Sequence, residues 1–184
     1  MTMKKLSLII TGAVLLLAAC GPKKVTAVEN CFTAIDRYLA DSIGTQYLHG
    51  EICIPFHSYA SVDETSQDDI QVLGDFWVMN YNVVGDTLMT VSGGSHPGKM
   101  HVRRNGDGHF EVTSFEPVLD GSEFLPSAKR IFGDQFDEFQ AAYSNEKARE
   151  QARKEGIAAY VAEHEIPVKV YQDYGWPAVR IPTK

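Results

Sequence analysis

Four side chains in the middle of this chain have types and spacing that could do chemistry. Asp75, Trp77 and Tyr81 recur at even spacing in the run Asp75-Phe76-Trp77-Val78-Met79-Asn80-Tyr81. In an extended strand, even spacing puts all three on one face, with the carboxylate at its end. His101 lies one hairpin further on, and Tyr47 and Phe115 could approach the same face. A carboxylate, a phenol and an imidazole beside aromatic rings suit ligand binding, or proton transfer if one of them has a perturbed pKa inside an enclosed cavity. The expected ligand-binding set is Trp77, Tyr81, Asp75, His101, Phe115 and Tyr47, and no catalytic residue is assigned.

Other chemistry lacks its pattern. The chain holds His49, His57, His96, His101, His109 and His164, but no H-E-x-x-H or paired C-x-x-C spacing, so no metal ligand set is expected. Ser95-His96 is adjacent only in sequence, and the Gly93–Gly98 segment has neither the strand-to-helix context of a nucleophile elbow nor the G-K-[ST] ending of a phosphate loop. No cofactor is implied. The formal net charge is −7; loss of Lys4 and Lys5 with a signal segment would give −7 − 2 = −9. An acidic chain argues against nucleic acid as a partner.

The elements that must position these residues are strands. Phe76–Val84 is β-branched and aromatic, Gly85-Asp86 is a turn, and Thr87–Ser92 returns. Gly93–Gly98 reads as a loop or wide bulge, because Pro97 has no N–H to donate and glycines permit a bend. Met100–Arg104 resumes, Asn105-Gly106-Asp107-Gly108 is a hairpin turn, and His109–Val118 follows. That turn would set His109 opposite Arg104 and His101 opposite Val112, with Phe115 on the side away from Phe110 and Val112. Before this meander, Val28–Ile43 has helical spacing and Gly44 as its stop, and Glu51–Ala60 reads as an edge or bulged strand because of Pro55. After it come a short helix following Pro126 and a long helical pattern over Asp134–Glu165. The polar middle of that pattern, Ser144–Glu155, reads as a solvated face or as a helix broken near Gly156. Val168–Tyr171 and Ala178–Ile181 suit short terminal strands. The expected architecture is α+β: a curved antiparallel sheet of four to six strands, wrapped by an N-terminal helix and a long C-terminal helix, cone-like.

The first twenty residues have another character. Lys4 and Lys5 precede an apolar stretch, Leu6–Leu17, that is too short for a membrane span, and Leu17-Ala18-Ala19-Cys20 follows. This resembles the lipobox of bacterial lipoproteins. The resemblance implies cleavage before Cys20, lipid on its sulfur (with palmitate or a like chain on the new amino terminus), and attachment to the membrane through that anchor alone. Gly21 after the cysteine resembles an outer-membrane sorting signal. The division expected is a signal peptide at 1–19, a tether at 20–27, and one domain at 28–184 with a helical extension from about 134. Outside the cytoplasm, Cys31 and Cys53 are a candidate disulfide, and two reduced thiols are the equal alternative.

The order of helix, edge strand and bent antiparallel meander over about residues 28–132 resembles the cone-shaped fold of the nuclear-transport-factor-two-like, or cystatin-like, superfamily. Its enzymes place an Asp–Tyr or Asp–His pair in the cone; Asp75, Tyr81 and His101 are the nearest residue types, and no family motif maps onto them individually. The segment Gly108–Phe124 with Lys129-Arg130-Ile131-Phe132 is also similar to a stretch of small exported bacterial proteins of no assigned activity. Three functions follow as expectations: a lipid-anchored envelope module that binds a small hydrophobic or aromatic ligand or a partner protein; an acid–base enzyme, a lyase, isomerase or hydrolase, working in the cone; and an envelope protein that docks a partner through helix 134–165.

Overall fold

The computed structural model describes residues 30–182, so the expected signal peptide, Cys20 and the expected tether lie outside the described residues. The fold is mixed α+β, built on a strongly curled half-barrel sheet with helices packed against it. Strands β1 (Ile52–Asp63), β2 (Ile70–Val84) and β3 (Thr87–Arg104) run antiparallel in that order. The outer side of β3 carries two partners: β4 (Phe110–Pro117), antiparallel to its far end, and β5 (Val170–Gln172), parallel to its start. β6 (Val179–Arg180) pairs with β5. β1 is an edge strand, as Pro55 requires.

Both faces of β2 are covered, and its two side-chain sets sort two cores. Phe76 and Val78 face helix α1 (Cys31–Tyr38), whose Ile35 packs beside Leu39 and Ile43 of the π and 3-10 turns that carry the helix on to Gln46. Asn30 begins α1 by accepting from the Phe32 and Thr33 amides. Gly44 does not end the helix; it sits inside the last turn with right-handed φ. The other face is covered along the chain by two groups. Leu73 meets helices α2 (Phe124–Phe132) and α3 (Phe136–Tyr143). Trp77 and Tyr81 meet helix α4 (Glu146–Glu163) and the terminal strands through Ile157, Val168, Tyr171 and Ile181.

Several expectations are corrected. Gly93–Gly98 is not a loop: it pairs with β2 from Met79 to Gly74, and the bulge falls earlier, at Val91 opposite the Asn80–Tyr81 step. Pro97 is tolerated because its backbone points away from β2; its carbonyl accepts from Val118 N at 2.8 Å, at the end of the β4 ladder. At the next hairpin Arg104 faces Phe110 and His101 faces Ser114, and a bulge at Thr113 brings Phe115 onto the side of Phe110 and Val112. The short helix starts at Phe124, before Pro126. The 134–165 pattern breaks at Ser144-Asn145 and not at Gly156, because the Asn145 side chain accepts from Ala148 N and caps a new helix. Gly156 lies within α4, pressed on Phe56: a Cβ there would stand 2.5 Å from Cδ1 of that ring. Of the two equal alternatives for Cys31 and Cys53, a bridge or two reduced thiols, the structure has the thiols. Cys31 stands near Glu64, and Cys53 packs beside Gly44.

Candidate functional site

The Trp77 face of the sheet holds a cavity of about 300 Å³. Phe56 of β1, Trp77 and Met79 of β2, and Gly94 and Ser95 of β3 make its floor. Its roof is one stripe of α4: Glu146, Arg149, Glu150 and Arg153, which spacings of three and four residues put on one side.

Each roof arginine is committed to its own aromatic and acidic partners. The Arg149 guanidinium lies between two rings, 4.8 Å from the centroid of Trp77 and 4.7 Å from that of Tyr143. It donates through Nη1 to the Tyr143 carbonyl at 3.2 Å. Its Nη2 stands 3.3 Å from Asp75 Oδ2, a charge contact without hydrogen-bond alignment, so that oxygen keeps no hydrogen-bond partner. One turn on, Arg153 donates to Asp173 at 2.7 and 2.8 Å, to Tyr81 Oη at 3.2 Å and to Thr90 Oγ1 at 3.1 Å. Tyr171 donates to Glu150.

Asp75 is 3% exposed, does not line this cavity, and borders a separate one of about 50 Å³ with Ser58, Tyr59 and Tyr143. Ser95 Oγ donates to its Oδ1 at 2.6 Å. Burial pushes the carboxyl above the usual carboxylate range, partly offset by the Ser95 hydrogen bond, the Arg149 charge and the Trp77 indole. Its role is to hold Ser95 and Arg149 from behind. Burial likewise pushes the Tyr81 phenol up to about 12, against the pull of Arg153. Asp173 is displaced the other way: the Arg153 hydrogen bonds hold its carboxyl below the usual range.

The structure therefore brings together Trp77, Tyr81 and Asp75 and separates the other three expected residues from them. Phe115 and Tyr47 belong to the α1 face, where Tyr47 Oη and His96 Nε2 share a 2.9 Å hydrogen bond. Tyr59 also packs there, on Phe32 and His57. His101 faces Gln71, six residues along β2 from Trp77, a separation of about 20 Å in an extended strand; its Nδ1–H donates to Asp69 at 2.7 Å. Arg149, Arg153, Glu146, Glu150 and Ser95 were not expected. Their signal in the sequence is the pair of arginines four residues apart, opposite two aromatic residues four apart on the facing strand.

Among the described residues no group of histidine, cysteine and carboxylate side chains could hold a metal ion, and no helix is long and apolar enough to cross a membrane. An apolar floor under two arginines, each beside a carboxylate and aromatic rings, can hold a ring-bearing molecule. No family model, no curated protein and no solved structure matches this chain.

Proposed function

We propose that this protein is a lipid-anchored module of the bacterial cell envelope, cone-like in the manner of the nuclear-transport-factor-two-like fold, which binds a small ligand with an aromatic or apolar body without chemically changing it. The observation that carries the reading is the 300 Å³ cavity between Phe56, Trp77 and Met79, roofed by Arg149 and Arg153. That volume lies at the lower end of the range for ligand sites. Binding is favoured over acid–base catalysis because Asp75 does not line the cavity and His101 stands far from it. It is favoured over helix docking because the large apolar side chains of α3 and α4 are buried or half-buried. The lipobox-like Leu17-Ala18-Ala19-Cys20 supports the anchor, and Gly21 supports an outer-membrane address.

Trp77 makes the test simple. The chain has two tryptophans, and Trp176→Phe leaves Trp77 as the sole indole. Titrating that variant with 8-anilinonaphthalene-1-sulfonate should quench Trp77 by energy transfer, with a saturable Kd below ~1 mM. Adding Met79→Trp, which fills the cavity, should abolish saturable dye uptake as followed by dye emission. Linear quenching, or uptake indifferent to Met79→Trp, would overturn the reading.

A further inference from the structure

Strand β3 has a gap in its outer edge. β5 covers it from Thr87 to Met89, β4 covers it from Gly98 to Arg104, and no strand lies beside the eight residues Thr90–Pro97. The hydrogen bond from Val118 N to Pro97 O shows that Pro97 presents its backbone outward. Antiparallel pairing with β2 alternates, so His96 and Gly94 turn their main chain to β2, while Ser95 and Gly93 turn theirs to the gap. Among the described residues, no main-chain hydrogen bond reaches Ser95 or Gly93 from that side. These outward groups form the same template that an exposed sheet edge offers to an added strand.

The gap is a slot and not an open edge. Val118 bonds Pro97 and Asp173 bonds Thr90 at its two ends, so its open floor is the six residues from Val91 to His96, about 17 Å at ~3.3 Å per residue. β4 and β5 stand one strand spacing further out at its two ends. A folded sheet edge, including that of a second copy of this chain, meets those flanks first. A single extended segment fits between them. Leu119 follows β4, the Leu48 carbonyl accepts from Ser92 Oγ, and Tyr174 and Trp176 follow β5 at 92% and 71% exposure, with Asp120 near His96 and Asp173 bonded to Thr90 at the two ends. Gly93 and Gly94 place no side chain in the way of an approaching backbone.

We propose that the Thr90–Pro97 edge of β3 is a strand-addition site, which takes an extended segment of about six residues from a partner protein, apolar at alternate positions. Main-chain hydrogen bonds to Gly93 and Ser95 supply the register, and the rim side chains cover the added strand.

Hydrogen exchange on the full chain tests the slot directly. In the free protein the Gly93 and Ser95 amides should exchange ~100-fold faster than those of Gly94 and His96. Equal protection would overturn the proposal, since those amides would already have partners. A displayed random heptapeptide library then supplies the probe. A selected peptide should protect Gly93 and Ser95. N-methylation at alternate residues should abolish binding in one frame and spare it in the other. No selectable peptide, or loss of binding equal in both frames, would refute strand addition. Ser95→Pro removes an outward N–H without touching the β2 ladder, and with it the hydroxyl that Asp75 accepts from, so it is read against Ser95→Ala, which loses only the hydroxyl; Ser95→Pro should weaken the peptide by ~10-fold or more relative to Ser95→Ala, and if it fails to fold, the N-methylated peptides decide. Dye uptake at the cavity and peptide protection at the edge are separate readouts, so either site can fail alone.

Discussion

Arg153→Met probes the network beneath the cavity most sharply. Methionine keeps much of the aliphatic stem that packs on Tyr81 and Tyr171, whose rings lie 5.9 and 4.9 Å from the guanidinium carbon. What is lost is the set of charged hydrogen bonds to Asp173, Tyr81 and Thr90. Removing one partner of a buried ion pair costs about 3–5 kcal/mol. That range must be discounted here, because Arg153 is 15% exposed but Asp173 is 39% exposed, and water can rehydrate the orphaned carboxylate. The fully enclosed Tyr81 hydroxyl has no such recourse, and a stranded buried hydroxyl costs about 1–3 kcal/mol. Together these place the loss at about 2–4 kcal/mol, a Tm fall of about 6–12 °C for a domain of this size. Urea melts followed by circular dichroism, on the chain from Gly21 onward, measure it. The same substitution in an Asp173→Asn background should cost about 1–2 kcal/mol less, which is the coupling between the two groups. The pH dependence has a fixed sign. The Asp173 carboxyl is depressed in the folded state, so its contribution is present above the unfolded value of about 3.9 and is lost as pH falls through the lower folded value. A cost below about 1 kcal/mol at pH 7, or a coupling of zero, would refute the assignment of Arg153 as the hub of this network.

Asp75 should show the opposite pH trend. Its folded carboxyl is raised by burial, so the wild type loses stability as pH rises from about 4 through that value, and Asp75→Asn should gain on it by ~1 kcal/mol or more between pH 4 and 7 in paired urea melts; a constant difference would refute the burial argument. Thiol titration of the unfolded chain from Gly21 onward, without reductant, should find both Cys31 and Cys53 reactive, whereas the folded chain should react slowly because burial raises both thiols. Finding no free thiol would mean that the two are bridged. Cys20→Ser should move the protein from the membrane fraction to the soluble fraction, and persistent attachment would remove the lipid anchor from the proposal.

The legible parts of the fold are those fixed by neighbours in sequence. Trp77, Met79 and Tyr81 share a face because strand geometry allows nothing else, and Gly85-Asp86 and Asn105–Gly108 turn because their residues accept turn backbones at low cost. Gly93–Gly98 forms a strand against its composition: glycine and proline are poor strand formers alone, but β2 lies along one whole side and Pro97 turns its missing donor away from it. Phe115 takes the other face because of the bulge at Thr113, whereas His101 keeps the Trp77 face but lies six residues along β2 from it. A one-residue slip of that kind inverts every side chain beyond it. Asn145 capped a helix where the charge pattern alone read as continuous.

The two arginines are not legible in the sequence, because in a helix rich in Glu, Lys and Arg they have the pattern of solvated surface. Their position follows from a mismatch of lengths. Four residues span about 6 Å along a helix and about 13 Å along a strand, so Arg149 and Arg153 of α4 can meet Trp77 and Tyr81 of β2 only through long, flexible side chains that splay apart. Lysine would span the distance, but it lacks the flat face that stacks on a ring and the fork that holds Asp173 with two bonds. Each positive charge placed over a ring then requires a carboxylate beside it, and Asp75 and Asp173 meet that need from opposite ends of the stripe. The splay opens space between the two stacked pairs, above Met79. The cavity is thus a consequence of laying a helix across a strand with matched residue spacing, and each of its arginines has a carboxylate beside it before any ligand enters, as the proposed apolar ligand requires.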